Sequence, residues 1–186
     1  GWGDDATWLR FECGDFWNHH QHFEVGNLEI FRREPLATES GEYSDYGSPH
    51  AVNWLLRTVA HNCVLVYDPK ETWPQLRDGG KGGYANDGGQ TKSWEWTVDT
   101  LEKWKAKRET FERGDIVAYD AQPSYLYVAG DCTRAYSPKK LSLWIRQVVF
   151  LRPSTIVVFD RVVATRAEYG KTWLLHCQEP PAVNGT

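Results

Sequence analysis

Two β-branched runs joined across a short proline turn constrain this chain more than any other feature. Leu143-Trp144-Ile145-Arg146-Gln147-Val148-Val149-Phe150-Leu151 leads into Arg152-Pro153-Ser154, and Thr155-Ile156-Val157-Val158-Phe159-Asp160-Arg161-Val162-Val163 follows. Branching at Cβ crowds a helix but suits a pleated strand, and Pro favours a turn, so residues 142–163 are predicted to form a hairpin. Trp173-Leu174-Leu175-His176-Cys177 reads as a third strand, ahead of Pro180-Pro181. Further strands are predicted over Phe23 to Arg32, Val59 to Tyr67, Ile116 to Tyr119 and Tyr125 to Val128, each closed by Gly, Pro, Asp or Asn. Helix-forming composition is confined to residues 98–112, around Asp99-Thr100-Leu101-Glu102-Lys103-Trp104-Lys105, which allows at most one short helix. Many strands with so little helix predict an all-β fold, a large antiparallel β-sandwich formed as a single domain over residues 1–186.

The 186 residues are enough for one core, burying roughly 70% of the unfolded surface. Lys plus Arg is 21 against 25 for Asp plus Glu, a net charge of −4 that gives no general attraction to nucleic acid or an anionic membrane. A polyanion would need a local basic site. The apolar runs fall far short of the ~20 residues of a membrane span. There is no charged-then-apolar leader and no Met, so Gly1 is expected to be a processed start or the edge of an excised piece. Four cysteines, Cys13, Cys63, Cys132 and Cys177, stand singly and do not read as a disulfide or zinc-ribbon framework; Cys63 and Cys177 are expected as small buried hydrophobes. The ten Trp, nine Tyr and seven Phe should mostly fill the core, with a minority serving as platforms for sugar rings. The Gly-rich stretch 79–89 lacks the spacing of a phosphate loop, and Asn184-Gly185-Thr186 is a glycosylation tripeptide too common to carry weight.

Histidines supply the chemistry. His19, His20 and His22 cluster, with His61 further on. If residues 20–30 are extended, His20, His22 and Glu24 share one face, with successive members about 7 Å apart. A polar surface strand would account for them equally well. Ala60-His61-Asn62, however, interrupts an apolar run, where a polar pair needs a ligand or hydrogen bonds. Glu39 lies between these segments, and two imidazoles with one carboxylate make a set that zinc accepts. His50, after Pro49, and His176, at the end of an apolar run, carry less, and Arg134, Lys139 and Lys140 suit a solvated turn as readily as a polyanion contact.

The chain resembles the C-terminal β-sandwich domain of the heparinase II/III-type polysaccharide lyases. The residues concerned are His20-Gln21-His22, Gly26-Asn27-Leu28-Glu29-Ile30-Phe31, Leu36-Ala37, Ser40-Gly41-Glu42-Tyr43 and Arg57-Thr58-Val59-Ala60-His61-Asn62. Gly130-Asp131, Ala135-Tyr136, Arg146-Gln147-Val148-Val149-Phe150 and Val158-Phe159-Asp160-Arg161-Val162 continue it, over about Phe11 to Pro181. The resemblance implies a two-part bacterial enzyme, periplasmic or secreted, in which a helical toroid precedes the sandwich and an acidic polysaccharide is cleaved by β-elimination. It implies one structural zinc held by His22, Glu39 and His61, with Glu39 standing where relatives carry Asp, and it gives Glu24 no ligand role. His20 would neutralise the substrate carboxylate, a donor worth typically about 3–4 kcal/mol in the transition state. The toroid would supply the main acid and base, leaving Tyr43 and Tyr46 as the phenols on this side, with His50 and Arg134 as substrate contacts. A second copy of the chain is an allowed partner. Two other readings stand beside this one: a non-catalytic carbohydrate-binding or structural sandwich, and a uronate C5-epimerase that returns the proton it removes.

Overall fold

A computed structural model describes residues 3–17, 20–43, 45, 47–72, 85–91 and 98–180. Tyr46, His19, most of the Gly-rich stretch and the terminal Asn-Gly-Thr lie outside the described residues. The architecture is an all-β antiparallel sandwich assembled from three sheets. Strands β1 (Trp8–Phe11), β2 (Leu28–Arg32) and β3 (Glu34–Ala37) form the first sheet, in that order. Strands β4 (Val64–Tyr67) and β9 (Gly170–Trp173) pair as the second. The third holds β5 (Asp115–Ala121), β6 (Tyr125–Asp131), β7 (Leu141–Leu151) and β8 (Thr155–Ala164), each beside the next.

The predicted hairpin is present as β7 and β8, in register from Leu143 opposite Val163 to Leu151 opposite Thr155, with an irregularity between Leu141 and Leu143. Strands β5 and β6 also fall where apolar alternation placed them. Three boundaries differ. β2 begins at Leu28 and not at Phe23, because Gly26 turns with a φ of +90° and Asn27 N–H bonds back to the Glu24 carbonyl. β4 begins at Val64 and not at Val59, because residues 58–60 close a 3-10 turn in which His61 N–H reaches the Thr58 carbonyl. The last strand ends at Trp173, where sequence placed its start. Its partner chain has by then turned into that 3-10 segment, and the Asn62 side chain takes over, accepting from His176 N–H at 2.6 Å. The window 98–112 holds two short helices and not one, α1 (Leu101–Ala106), capped by the Thr100 hydroxyl, and α2 (Arg108–Phe111).

The main core gathers Cys63, Val64 and Val66 of β4 with Cys132, Ala135, Tyr136, Leu141, Trp144 and Tyr169. Cys63 is buried as expected, whereas Cys177 is only partly covered. Trp144 is the largest fully buried side chain. Its indole N–H donates to Asp160 Oδ1 at 2.7 Å, satisfying the polar end that a buried Trp brings with it. A Cβ at position 26 would lie 2.4 Å from Trp144 Cη2, so the turn preceding β2 needs Gly both for its φ and for its approach to this ring.

Candidate metal centre

Three side chains from three separate segments converge. His22 comes from the irregular stretch before β2, Glu39 from the chain leaving β3, and His61 from the end of the 3-10 turn. Among the described residues these three form a group able to hold a metal ion, offering one donor atom each, all within 4.8 Å of one another. His22 Nδ1 lies 3.0 Å from His61 Nε2, and Glu39 Oε2 lies 3.9 Å from the first and 3.8 Å from the second. Zinc–ligand bonds of about 2.0–2.1 Å place tetrahedral donor atoms about 3.3 Å apart, so small adjustments bring all three into one coordination sphere.

The surroundings prepare these groups for a cation. His61 is fully buried, and its Nδ1–H donates to the Arg57 carbonyl at 2.7 Å. That bond fixes the tautomer and leaves the Nε2 lone pair facing the cluster, the arrangement usual for a liganding imidazole. Burial then lowers its pKa to about 4, against the pull of Glu39, and burial likewise lowers that of His22. Both rings are therefore neutral at pH 7 and ready to ligate. Burial works against ionisation of Glu39, but His61, a hydrogen bond from Glu24, His22 and Arg10 together hold its carboxyl below the ordinary value. Arg10 lies 3.6 Å from Glu39 Oε1 and also pairs with Glu12 and Glu29.

Irregular backbone here is held by side chains acting as substitute strands. The Gln90 amide brackets Val25, accepting from its N–H at 3.1 Å and donating to its carbonyl at 2.7 Å. Thr58 Oγ1 donates to the Phe23 carbonyl at 2.7 Å and accepts from Gln90 N–H. Arg57, buried, forms a fork with Asp87 at 2.6 and 2.8 Å and donates to the Gln90 carbonyl. Arg146 reaches from β7 to the carbonyls of Gly26 and Asn62 while its other nitrogens grip Asp160 at 2.8 and 2.9 Å. Arg57 and Arg146 thus help to position the segments that carry the three candidate ligands.

The remaining described candidates are not part of this group. His20 is exposed in a turn, because residues 20–24 are not the extended strand expected, so His20 and His22 do not share a strand face. Tyr43 is 62% exposed. His50 precedes a π-helical turn at residues 51–55, and its Nε2 accepts from Glu42 N–H at 3.2 Å. Arg134 is exposed and committed to Glu112 and Asp115, and Lys140 is buried against Glu71 and the Gly89 carbonyl. His176, read as a satisfied histidine, bonds the Val59 carbonyl through Nε2.

Glu24, given no ligand role from sequence, lies at the cluster. Its Oε2 is 3.8 Å from His61 Nε2 and accepts from Asn27 Nδ2 at 2.9 Å. Burial, with the charges of Glu12 and Glu39, pushes its carboxyl up to about 9. Its two-residue spacing from His22 was the available signal. Gln90 gave none, since its partner Val25 lies 65 residues away.

A cleft of about 310 Å³ opens beside the cluster, lined by Arg10, Glu12, Cys13, Asp15, His22 and Glu24 among others. No helix among the described residues is long and apolar enough to cross a membrane. Compared with protein-family models and with curated proteins, the chain matches none.

Proposed function

We propose that this chain is the zinc-binding sandwich part of a polysaccharide lyase that cleaves uronic-acid polymers by β-elimination. The observation that carries the reading is the convergence of His22, Glu39 and His61 from three distant segments. The ligand set and the motif order of the resembling family coincide there. Two neutral imidazoles and an ionised carboxylate suit zinc, and the ion, when bound, would supply cross-linking of the three segments. In the reaction a base removes the C5 proton, its electron pair forms the C4–C5 double bond, the C4–O bond breaks, and the departing oxygen takes up a proton. His20, exposed just before the cluster in the chain, is the donor proposed for the substrate carboxylate, with Tyr43 and Tyr46 as the candidate phenols of this domain and the toroid carrying the main acid and base. His50 and Arg134 are the proposed substrate contacts, and a periplasmic or secreted location goes with the same reading.

The test uses the longer chain that includes the toroid. Formation of unsaturated uronide is followed by ultraviolet absorbance over a panel of uronate polymers. His20→Ala should lower kcat by ~100-fold or more with metal content unchanged, the scale of one lost transition-state donor. His22→Ala should release the metal and lower the melting temperature. Failure of the metal-loaded protein to produce unsaturated product from any polymer ends the lyase reading.

One observation favours the second reading, a binding or structural sandwich. The cleft wall carries Glu12 and Asp15 around a single Arg10 that is already paired, so it offers an acidic polymer no uncommitted cation. Tighter binding of neutral than of uronate oligosaccharides would select that reading. Exchange of solvent deuterium into C5 without chain cleavage would select an epimerase.

A further inference from the structure

The geometry points to Glu24 as a fourth protein ligand, which makes the centre a closed site of two histidines and two carboxylates with no position left for water or substrate. The inference rests on the metal reading of His22, Glu39 and His61 and goes one residue beyond it.

Three observations carry it. The first is distance: Glu24 Oε2 and Glu39 Oε2 stand at the same 3.8 Å from His61 Nε2, so the two carboxylates approach the same ligand atom equally closely. The second is orientation. Asn27, 1% exposed, directs one amide nitrogen to both carboxylates, to Glu24 Oε2 at 2.9 Å and to Glu39 Oε1 at 3.4 Å. The Asn27 carbonyl oxygen is in turn fixed by Asn62 N–H at 2.9 Å, next to His61 in the chain. One buried amide thus aims both carboxylates, the outer-sphere support that metal ligands generally have.

The third is charge. Glu24 is buried and shares the Asn27 amide with Glu39. Metal binding releases ligand protons, so two neutral imidazoles and two ionised carboxylates would carry −2, which a divalent cation cancels. With water in the fourth position the centre would keep a net positive charge beside the buried His61 and Glu24, which costs more. Closed four-ligand sites are structural, whereas catalytic zinc keeps an open position. The backbone turn at Gly26 and the Gln90 bracket at Val25 are what allow His22 and Glu24, two residues apart, to reach one ion.

The experiment uses the full chain loaded with Co²⁺ in place of Zn²⁺. A closed site gives a tetrahedral visible spectrum that added azide leaves unchanged. An azide-induced shift in the unmodified protein reveals an exchangeable water position and overturns the inference. Glu24→Gln keeps the size of the side chain and removes its charge. Zinc affinity measured by competition with a chromophoric chelator should fall by more than the ~10–100-fold seen when only outer-sphere partners are lost. Unchanged affinity in a folded Glu24→Gln protein also overturns it, while leaving the three-ligand reading intact. If the unmodified chain, folded by circular dichroism, takes up neither ion, the metal reading itself fails and takes this inference with it.

Discussion

Strands β7 and β8 pair without interruption from Trp144 opposite Val162 to Leu151 opposite Thr155, whereas the segment carrying His22 and Glu24 has no strand neighbour and is held by the side chains of Gln90, Thr58, Asn27 and Arg146. The first region satisfies its backbone through a ladder, and its inner face adds apolar contact: Val128, Val148 and Val158 stand abreast across three strands. The second satisfies its backbone through polar side chains from far along the chain. Regular pairing is robust but holds side chains at fixed spacings, whereas here donor atoms from three segments lie within 4 Å of each other. The irregular region can, at the cost of depending on each buried polar partner, since an unpaired buried group is expensive. Arg146 belongs to both regions, lying on β7 opposite Asp160 and donating to the Gly26 and Asn62 carbonyls.

The comparison breaks most visibly at that residue. Arg146→Ala leaves Asp160 buried without its cation and two carbonyls without a donor, an expected loss of about 3–5 kcal/mol. If the sheet and the site form one cooperative unit, Trp fluorescence and bound-metal stoichiometry should fail together on urea titration. A protein that keeps its cooperative Trp transition yet binds no metal would show the two regions to be separable.

A second test is pH, applied to the metal-free chain. His61, held near pKa 4 against 6.5 when unfolded, stays neutral while the unfolded chain takes a proton, so stability falls as pH drops from 6.5 to 4. Glu24, held near 9 against 4.5, stays protonated while the unfolded chain has ionised, so stability falls as pH rises from 4.5 to 9. The two slopes oppose each other between 4.5 and 6.5, where the lowered pKa of His22 adds to the side of His61 and leaves only a shallow rise with pH over that range. Above it the Glu24 contribution is lost progressively, by at most about 3 kcal/mol at pH 9. Denaturant midpoints of the unmodified chain and of Glu24→Gln, compared across this range, should differ in slope above pH 6.5 and run parallel if Glu24 does not titrate in this way.

These two regions were unequally legible in the sequence. Strands β5 to β8 announce themselves through β-branched runs and a proline turn, signals contained within ten or so residues. The predicted strand over Phe23 to Arg32 failed in its first half because what decides it is remote: Gly26 is turned by the nearness of Trp144, and Val25 is bracketed by Gln90. His61 was readable as a candidate ligand because a polar His-Asn pair interrupts an apolar run, and Asn62 indeed joins Leu28, Thr38 and His176. Glu24 was passed over because a strand reading turned it into a neighbour of His20, while the actual turn carries it to His61.

Asn62 sharpens the contrast at intermediate size. It is fully buried, and its amide donates to the Leu28 and Thr38 carbonyls while its oxygen accepts from His176 N–H. Asn62→Ala strands those groups and should cost about 1–3 kcal/mol. The bond that holds Asn27 comes from the backbone N–H of residue 62, which Ala keeps, so metal affinity measured by chelator competition should change little. A fall in metal affinity in the folded variant would show that the Asn62 side chain also supports the cluster.

The smallest effect is expected on the outer face of the regular sheet. Phe159 is 59% exposed on β8, opposite Gln147, and Val157 beside it is half exposed. Little apolar area is removed from water there, so Phe159→Thr, which puts a β-branched, strand-favouring residue in its place, should change stability by no more than about 0.5 kcal/mol. Register would be unaffected because the inner face, through Val148 opposite Val158 and Arg146 opposite Asp160, already sets it. Metal content should also be unchanged. The equivalent exchange on the inner face, Val158→Thr, places a hydroxyl against Val148, which is fully buried, and should cost more. Thermal melts of the two variants decide the point: equal losses would mean that both faces of this sheet are covered in the folded protein, and that the outer face owes its stability to contacts beyond the ladder itself.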